Sequence, residues 1–343
     1  MAYTTINKST EHFNTKLYTG TGSAQSITGV GHQPDLTWIK SRSNTAFHLL
    51  TDAVRGVTKQ LYSNAASAEN TDSSHITAFN TDGFSVGSAG DVNTSGNAFA
   101  SWNWKGNGTG SSNSDGSLTS TVSANQTAGF SIVTYTGSSS ASTVGHGLNA
   151  VPKMIITKTR ASGYEWGVYH EAMGNEKHLL LDTTGGEGDG EYWNDTTPTS
   201  SVFSLGGQKI NVNYSGQTYV AYCFAEKTGY SKFGKYIGNG NADGVFVYTG
   251  FKPAFVIMRR YDAGDNWVLQ DSARDPYNPS DTRLFPDSSG GDSTNSNYNM
   301  DFLSNGFKLR NTNSNSNTNS GTYIYMAIGQ SLVGSNNVPC TAR

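Results

Sequence analysis

The chain has 343 residues, a net charge of −3 at pH 7 and only 14% charged residues, whereas glycine alone contributes 40. A nucleic-acid binder needs a basic excess or a basic patch, and no run of Lys or Arg supplies one. Aromatic residues at 11% exclude a disordered chain. No apolar stretch approaches the roughly 18 residues of a membrane-spanning helix. The composition predicts a globular protein of short strands joined by turns.

Four sequence landmarks recur three times in the same order, which predicts an internal repeat of about 100 residues. Each copy opens with an aromatic residue followed by Tyr-x-Gly, and the tyrosines are Tyr18, Tyr135 and Tyr236. A proline-led apolar run that ends in basic residues comes next, reading PDLTWIKSR, PKMIITKTR and PAFVIMRRY. Phe-x-x-x-Gly then begins at Phe79, Phe203 and Phe302, and Ser-Gly before an aromatic-rich segment begins at Ser95, Ser215 and Ser320.

In chain order, these landmarks predict an opening strand, a buried strand after the proline, a hairpin, and a closing strand packed on both faces. No segment shows sustained helical periodicity. The predicted fold is all-β, with three tandem β-sandwich domains of jelly-roll or lectin-like type. The predicted boundaries are 1–106 for the first repeat with a short N-terminal arm, 107–128 for a Gly/Ser/Thr/Asn linker, 129–227 for the second repeat, 228–331 for the third, and 332–343 for a C-terminal tail.

The run GYSKFGKY, residues 229–236, matches the G-x-x-x-x-G-K core of a phosphate-binding loop. Such a loop carries Ser or Thr after the lysine and opens a helix, but here Tyr236 follows and the next residues are rich in Gly and Asn. The repeat aligns Gly229 with Gly129 at the start of the second copy. The run is therefore interpreted as the opening strand of the third repeat.

Other candidate sites have ordinary structural alternatives. The segment 182–195 concentrates five carboxylates, so Ca²⁺ binding is an alternative to a solvated acidic loop, although its spacing misses the EF-hand pattern. His32 and His146 follow Val-Gly in two copies, which favours a structural hydrogen bond. Cys223 and Cys340 show no disulfide or metal spacing. Because no catalytic motif is present, we expect no enzymatic activity and no cofactor.

Four aromatic residues in polar loops are the candidate contacts for a glycan or a protein partner. Tyr192 and Trp193 follow the acidic segment, and Tyr277 and Tyr298 lie in Asn/Ser/Asp-rich loops of the third repeat. Exposed aromatic faces beside amides and carboxylates are suited to stacking on sugars. The alternative is that these side chains pack down long loops.

Several long motifs resemble a family of virion structural proteins of marine tailed phages, often labelled tail fibre or structural protein. They include PDLTWIKSR, SGNAFASWNWKGNGTG, VGHGLNAVPKMIITKTR, YVAYCFAEKTGYSKFGKYIGNG, YTGFKPAFVIMRR and DFLSNGFKLR. The resemblance covers nearly the whole chain and weakens at 311–320 and after Gly329. It implies a virion structural protein and brings no catalytic residues.

The resulting expectation is a non-enzymatic tail-fibre or adhesin-like appendage subunit that contacts host-surface glycans. A capsid decoration protein that stabilises the head is the first alternative, and a polysaccharide-cleaving tail appendage is the second. The expected partners are other virion proteins and host surface polysaccharide. We expect a homo-oligomer such as a trimer, and neither nucleic-acid binding nor membrane insertion. The N-terminus, MAYTTINKSTEHF, lacks a secretory signal, so we expect synthesis in the host cytoplasm and a location in the virion.

Overall fold

The computed structural model describes residues 4–332, and three units of strands follow one another along the chain. The first unit comprises β1 (Phe13–Thr19), β2 (Gln25–Thr28), β3 (Leu36–Ser41), β4 (Leu49–Asp52), β5 (Lys59–Tyr62), β6 (Asn70–Thr71), β7 (Ile76–Asn80), β8 (Gly83–Val86), the short helix α1 (Gly90–Asn93) and β9 (Ala98–Trp104).

The second unit comprises β10 (Ser111–Asn113), β11 (Ser120–Asn125), β12 (Phe130–Thr136), β13 (Ser142–Gly145), β14 (Pro152–Thr159), β15 (Gly167–His170), β16 (Lys177–Leu180), β17 (Gly188–Asp189), β18 (Val202–Leu205) and β19 (Thr218–Ala225). The third comprises β20 (Ser231–Ile237), β21 (Phe246–Tyr248), β22 (Pro253–Arg260), β23 (Val268–Asp271), β24 (Thr282–Arg283), β25 (Ser293–Thr294), β26 (Met300–Leu303), β27 (Gly306–Leu309), the short helix α2 (Ser314–Asn317) and β28 (Thr322–Gly329). Single 3₁₀ turns lie at Ser9–Glu11, Glu171–Met173 and Ser296–Tyr298.

Each unit builds a main antiparallel sheet in which its last strand lies between its opening strand and its proline-led strand. The strand orders are β1-β9-β3-β4-β5-β6, β10-β11-β12-β19-β14-β15-β16-β17 and β20-β28-β22-β23. The landmark tyrosines of the opening strands stack on aromatic residues of the closing strands, in the pairs Tyr18–Phe99, Tyr135–Tyr219 and Tyr236–Tyr323, with ring centroids 5.1, 5.2 and 4.9 Å apart. The all-β class predicted from the sequence is confirmed.

A smaller sheet packs on one face of each main sheet, with strand orders β2-β8-β7, β13-β18 and β21-β27-β26. Strand pairing identifies the equivalent residues, because Ile27 faces Phe84, Val144 faces Phe203 and Val247 faces Phe307. Phe203 is therefore the counterpart of Phe84 and Phe307, and its predicted alignment with Phe79 and Phe302 is wrong. The smaller sheet of the second unit lacks a strand equivalent to β7 and β26.

The proline-led strands are buried on both faces, and side chains alternate between two different cores. In β3, Trp38 joins a core to which all three main sheets contribute, whereas the next residue, Ile39, joins the core of its own unit. The same alternation is seen in β14 and β22, where Ile156 and Ile257 join the shared core. The three main sheets therefore pack around one common centre, and each smaller sheet covers the outward face of its own main sheet.

The contacts between units are cyclic. In each unit, the residue just before β6, β17 or β25 donates its backbone N–H to a carbonyl oxygen of the next unit. The acceptor belongs to the residue that directly follows the proline-led strand. The three bonds are Glu69 N to Arg160 O at 2.8 Å, Glu187 N to Tyr261 O at 2.7 Å, and Asp292 N to Arg42 O at 2.8 Å. The second unit thus docks on the first, the third on the second, and the first on the third. We call this last contact, between the third and first units, the closing seam.

The segment 107–128, predicted to be a linker, contains two strands. Pairing of β10 with β11 and of β11 with β12 extends the main sheet of the second unit beyond its opening strand. Side-chain hydrogen bonds also hold this segment, among them Ser123 Oγ accepting from Asn107 N at 2.7 Å. The composition of the segment suggested flexibility, but antiparallel pairing satisfies its backbone, so the linker prediction is wrong for these residues.

No helix among residues 4–332 is long and apolar enough to cross a membrane. Cys340 and the predicted tail beyond residue 332 lie outside the described residues.

Candidate ligand-binding cleft

The run 229–236 forms a turn and most of β20. Lys235 pairs with Ile324 of β28, so its backbone is part of a strand. Gly229 and Gly129 both adopt left-handed backbone conformations, with φ of 73° and 71°, which is the equivalence that the repeat predicted. The run has the geometry of a sheet opening and none of a strand-to-helix phosphate loop.

The carboxylates of the acidic segment are separated from one another. Asp182 accepts from the amide of Trp166 at 3.0 Å, Asp189 pairs with Lys177 at 3.4 Å, and Glu191 pairs with Lys209 at 3.4 Å. Within residues 4–332, no group of three or more His, Cys, Asp or Glu side chains is placed to hold a metal ion.

The repeated histidines bond to the backbone. The Nδ1 atom of His32 lies 2.8 Å from Thr10 O, and His146 bonds Thr199 O at 3.2 Å through Nε2 and accepts from Leu148 N at 3.2 Å through Nδ1. Burial lowers the pKa of His32 to about 4 and also lowers that of His146. Burial likewise raises the pKa of the Cys223 thiol, which lies in β19.

The four predicted aromatic contacts do not form one site. Trp193 is only 1% exposed and belongs to the core of the second unit, so its ring has no face for a ligand and its assignment as a contact is wrong. Tyr192 stacks on His178 with ring centroids 3.7 Å apart, and its hydroxyl accepts from Asn211 Nδ2 at 2.9 Å. Tyr192 is therefore partly buried and packs against the core of the second unit.

The other two candidates lie in the third unit. Tyr277 is 78% exposed at the tip of the loop after β23. Tyr298 is partly buried and covers the guanidinium group of Arg283, whose other face lies 4.5 Å from the centre of the Phe285 ring. Only Tyr277 presents an open aromatic face, and it stands alone.

A cleft of about 530 Å³ opens at the closing seam. It is lined by Thr45, Ala46 and Phe47 of the β3–β4 loop, by Asn64 and Asp91 of the first unit, and by Asp287, Ser288 and Ser289 of the β24–β25 loop. Its volume lies within the roughly 300–1,000 Å³ usual for small-molecule sites. The cleft combines an aromatic side chain, carboxylates and hydroxyl groups.

Hydrogen bonds fix the walls of the cleft. Ala46 N donates to Ser289 O at 3.0 Å, which ties the loop of the first unit to that of the third. Asn64 Oδ1 accepts from His48 N at 2.8 Å, and the equivalent Asp287 Oδ1 accepts from Trp267 N at 3.2 Å. Both side chains therefore hold the start of a strand while they face the cleft.

The closing seam has a cleft of this chemistry because the first repeat carries different side chains from the third at two equivalent positions. At the position of Phe47 the third unit has Asn266, whose amide nitrogen donates to Asp287 Oδ2 at 2.9 Å and whose backbone N donates to Asn315 Oδ1 at 3.2 Å. The counterpart of Asn315 in the first unit is Asp91, whose nearest ionic partner is His75 at 3.9 Å. The hydrogen-bonded network of the third unit is thus replaced in the first by the exposed phenyl ring of Phe47 and by a carboxylate whose ionic partner lies 3.9 Å away.

The model of a family described as a domain of unknown function (DUF7483) matches residues 8–331. The chain belongs to this family. The match spans all three units, so the cycle and its closing seam both fall within the family's domain. No curated protein matches the chain.

The cleft of this DUF7483 member is electronegative. Its lining includes two carboxylates and no Lys or Arg side chain. Burial raises the pKa of Asp287 to about 6, although the amide of Asn266 opposes the shift. Burial also lowers the pKa of nearby Lys40 to about 8, with the charges of Asp292 and Asp91 acting in the opposite direction.

Sequence reasoning missed Phe47, Asp91 and Asp287 because they come from three separate segments. One signal was present in the repeat itself. In the alignment of the three copies, Phe47 stands opposite Glu165 and Asn266, so a lone aromatic residue replaces polar ones. A residue that breaks the chemistry of its own repeat in this way marks a place where one copy has diverged.

Proposed function

We propose that this protein is a non-enzymatic virion structural protein of a tailed phage, a tail-fibre or adhesin-like appendage subunit that contacts host-surface glycans. Two independent lines support the proposal. The long motifs quoted above resemble phage virion proteins, and the cleft at the closing seam has the chemistry of a carbohydrate site.

The observation that carries the proposal is the exposed ring of Phe47 beside the side-chain oxygen atoms of Asp91, Thr45 and Ser289 in the lining of one cleft. An aromatic face attracts the apolar face of a sugar ring, and carboxylate and hydroxyl oxygens accept or donate to its hydroxyl groups. The cycle of units holds this arrangement on two loops that are tied together, so little ordering is required on binding.

The proposal is tested by counting copies of the protein in purified virions by quantitative gel electrophoresis and by antibody labelling of whole particles. We expect copies in the tens and label at the tail. A copy number in the hundreds with label over the head would replace the tail appendage with the alternative, a capsid decoration protein that stabilises the head by binding to its assembled lattice.

The two cleft carboxylates, Asp91 and Asp287, favour testing the polysaccharide-cleaving alternative. Paired carboxylates perform glycoside hydrolysis when one donates a proton and the other attacks or activates water. Burial raises the pKa of Asp287 to about 6, but both of its oxygens accept hydrogen bonds from its own unit, from Trp267 N and Asn266 Nδ2, so the carboxyl already has a structural role. We therefore expect no loss of capsular-polymer viscosity on incubation with the purified protein; a sustained loss would establish the enzymatic alternative.

A further inference from the structure

We propose that the closing-seam cleft selects uncharged sugar residues and rejects anionic ones such as uronates, sialates and sulfated sugars. This inference rests on the proposed glycan-binding function and specifies its ligand class. It follows from three features of the cleft: a supported aromatic face, side-chain oxygen groups that make no internal hydrogen bond, and a lining with two carboxylates and no Lys or Arg side chain.

The aromatic face is held in place from behind. Phe47 is 43% exposed, and its ring packs against Tyr62 with centroids 4.8 Å apart. The backbone on either side of Phe47 is fixed by Ala46 N bonding to Ser289 O and His48 N bonding to Asn64 Oδ1. The outward face of the ring is therefore presented in one orientation, as stacking on a pyranose requires.

The polar groups beside this face are available to a ligand. The side chains of Thr45, Ser289 and Asp91 make no hydrogen bond within 3.5 Å to any residue in the range 4–332, and the nearest ionic partner of Asp91 is His75 at 3.9 Å. The counterpart of Asp91 in the third unit is Asn315, whose side-chain oxygen accepts a hydrogen bond from the backbone N–H of Asn266. The carboxylate of Asp91 in the first unit is thus available for a hydrogen bond to a ligand, whereas the equivalent oxygen in the third unit bonds within the protein.

The charge distribution sets the ligand class. The nearby basic side chains are not part of the lining. Lys40 Nζ is buried and donates to Ser41 O at 2.8 Å and to Asn44 O at 3.2 Å. Arg42 pairs with Asp292 at 2.7 Å, and His75 lies 3.9 Å from Asp91. An anionic sugar would therefore meet the carboxylate of Asp91 in a cleft to whose lining no Lys or Arg side chain contributes. Like-charge opposition of this kind excludes a ligand more effectively than a missing contact does.

The chain supplies a matched control for stacking. Phe246 in β21 is 42% exposed, almost the same as Phe47, but it lies on the outer face of the third unit's smaller sheet and is not part of the cleft lining. Replacing either phenylalanine by alanine removes the same amount of exposed aromatic surface, and neither belongs to a buried core.

The test is affinity electrophoresis of the full chain in gels that contain neutral polysaccharides (galactomannan, mannan, β-glucan and dextran) or anionic ones (alginate, hyaluronan and polygalacturonate). We expect retardation by at least one neutral polymer and by none of the anionic ones. Phe47→Ala should weaken retardation at least about tenfold, whereas Phe246→Ala should leave it unchanged. The thermal unfolding midpoints of both variants establish that each is folded.

A second variant isolates the charge. Asp91→Asn keeps the size of the side chain but removes its charge, so we expect retardation by anionic polymers to appear while stacking on Phe47 is retained. The inference is overturned if the native protein binds anionic polymers, if it binds none of the seven polymers, if Phe47→Ala binds as well as the native protein, or if Asp91→Asn leaves the exclusion of anionic polymers intact.

The test of the ligand class and the test of the appendage role can fail independently. Virions that carry the protein at the tail while the pure protein prefers alginate would leave the appendage role in place and remove the ligand class. Neutral-sugar binding by a protein that is absent from virions would remove the appendage role and keep the cleft.

Discussion

Asp52 and Asp271 occupy equivalent positions at the ends of β4 and β23, and each anchors a buried network that joins two units. Asp271 accepts from Arg274 Nε at 2.6 Å and from Trp102 Nε1 of the first unit at 3.1 Å. Arg274 also pairs with Asp292 at 2.8 Å, and Asp292 pairs with Arg42. Ion pairs therefore hold the closing seam together, and most of the polar atoms in these pairs also make hydrogen bonds. Buried charges are tolerated in proteins when they are paired and hydrogen-bonded in this way.

We expect Asp271→Ala to lower the free energy of unfolding by about 3–5 kcal/mol, because it leaves the buried guanidinium of Arg274 and the indole N–H of Trp102 without their carboxylate. Chemical denaturation followed by tryptophan fluorescence measures the change. Asp189→Ala, which breaks the exposed pair with Lys177, is the matched control and should cost less than about 1 kcal/mol. Equal effects from the two variants would contradict the structural role of the network.

The corresponding position in the second unit is His170, which gives that seam a different chemistry. Its Nε2 donates to Tyr325 O at 3.1 Å, and its Nδ1 accepts from Ala172 N at 3.2 Å. A proton added to Nδ1 would remove that acceptor. Burial favours the neutral imidazole and lowers the pKa of His170 to about 4 from 6.5, although the hydrogen bond to Tyr325 O opposes the shift.

Acid should therefore weaken this seam. Between pH 6.5 and about 4 the unfolded chain binds a proton at His170 that the folded chain does not, so stability is fully present above pH 6.5 and falls as the pH is lowered. In His170→Gln we expect the slope of unfolding free energy against pH in this window to decrease by up to about 1.4 kcal/mol per pH unit. Denaturant titrations at stepwise pH measure the slope; parallel curves for the two proteins would contradict the assignment.

At the scale of elements, the two strands β10 and β11 show how pairing overrides composition. They lie in a Gly/Ser/Asn-rich stretch, but Thr121 and Val122 pair with Thr134 and Val133 of β12. Side chains add to this pairing, since Ser120 Oγ donates to Gly145 O at 3.0 Å. The ribbon also covers an edge of the second main sheet that would otherwise be free to pair with other chains.

Amide hydrogen exchange distinguishes a paired ribbon from a linker. We expect peptides that span β11 to exchange far more slowly than an unstructured chain, because their amides bond to β12. The loop 183–186, which has a similar composition and forms no strand, is the comparison and should exchange quickly. Equal, fast exchange in both segments would restore the linker.

The elements were largely predictable from the sequence because their signals are local. The stacked tyrosines at 18, 135 and 236 repeat with constant chemistry, and the burial of β19 on both faces follows from its apolar run YVAYCF. The errors share one cause, which is that pairing partners are distant in sequence. Phe203 was aligned by spacing, but its pairing with Val144 determines its place. Trp193 looked exposed by composition, but Tyr169 packs against it in the core.

The candidate cleft could not be predicted from the sequence either, because its residues are brought together by contacts between units. Phe47 and Asp287 meet only because the third unit docks on the first, and nothing in either segment encodes that docking. The apolar run PDLTWIKSR predicts that β3 is buried, but it does not indicate that Trp38 joins a core shared by all three units while Ile39 joins the core of its own unit.

At the scale of the whole molecule, one chain closes a cycle of three similar units. The sequence analysis predicts a homo-oligomer such as a trimer, whereas the cycle of three units supplies threefold-like packing within a single polypeptide. Because the inner faces of all three main sheets are already covered by one another, we expect a monomer of 36.6 kDa by light scattering coupled to size exclusion. A mass three times larger at micromolar concentration would restore the trimer.

The shared core also decides how the molecule unfolds. Phe255, Ile257 and Met326 of the third unit are almost fully buried in the shared core. The ring of Phe255 packs against those of Phe13, Trp102 and Trp104 of the first unit. Removing one unit would expose this face in the other two, so the units cannot lose structure one at a time without a large loss of apolar burial. We expect a single calorimetric transition for the full chain, with equal calorimetric and van't Hoff enthalpies.

The same argument predicts the behaviour of a fragment. Residues 228–331 contain a complete main sheet and a smaller sheet, but the inward face of the main sheet is covered only by the other two units. We therefore expect the isolated fragment to bind a hydrophobic dye and to lack a cooperative thermal transition, whereas the full chain does neither. A fragment that melts cooperatively would show that the third repeat is an independent domain and that the cycle is an assembly of separately stable parts.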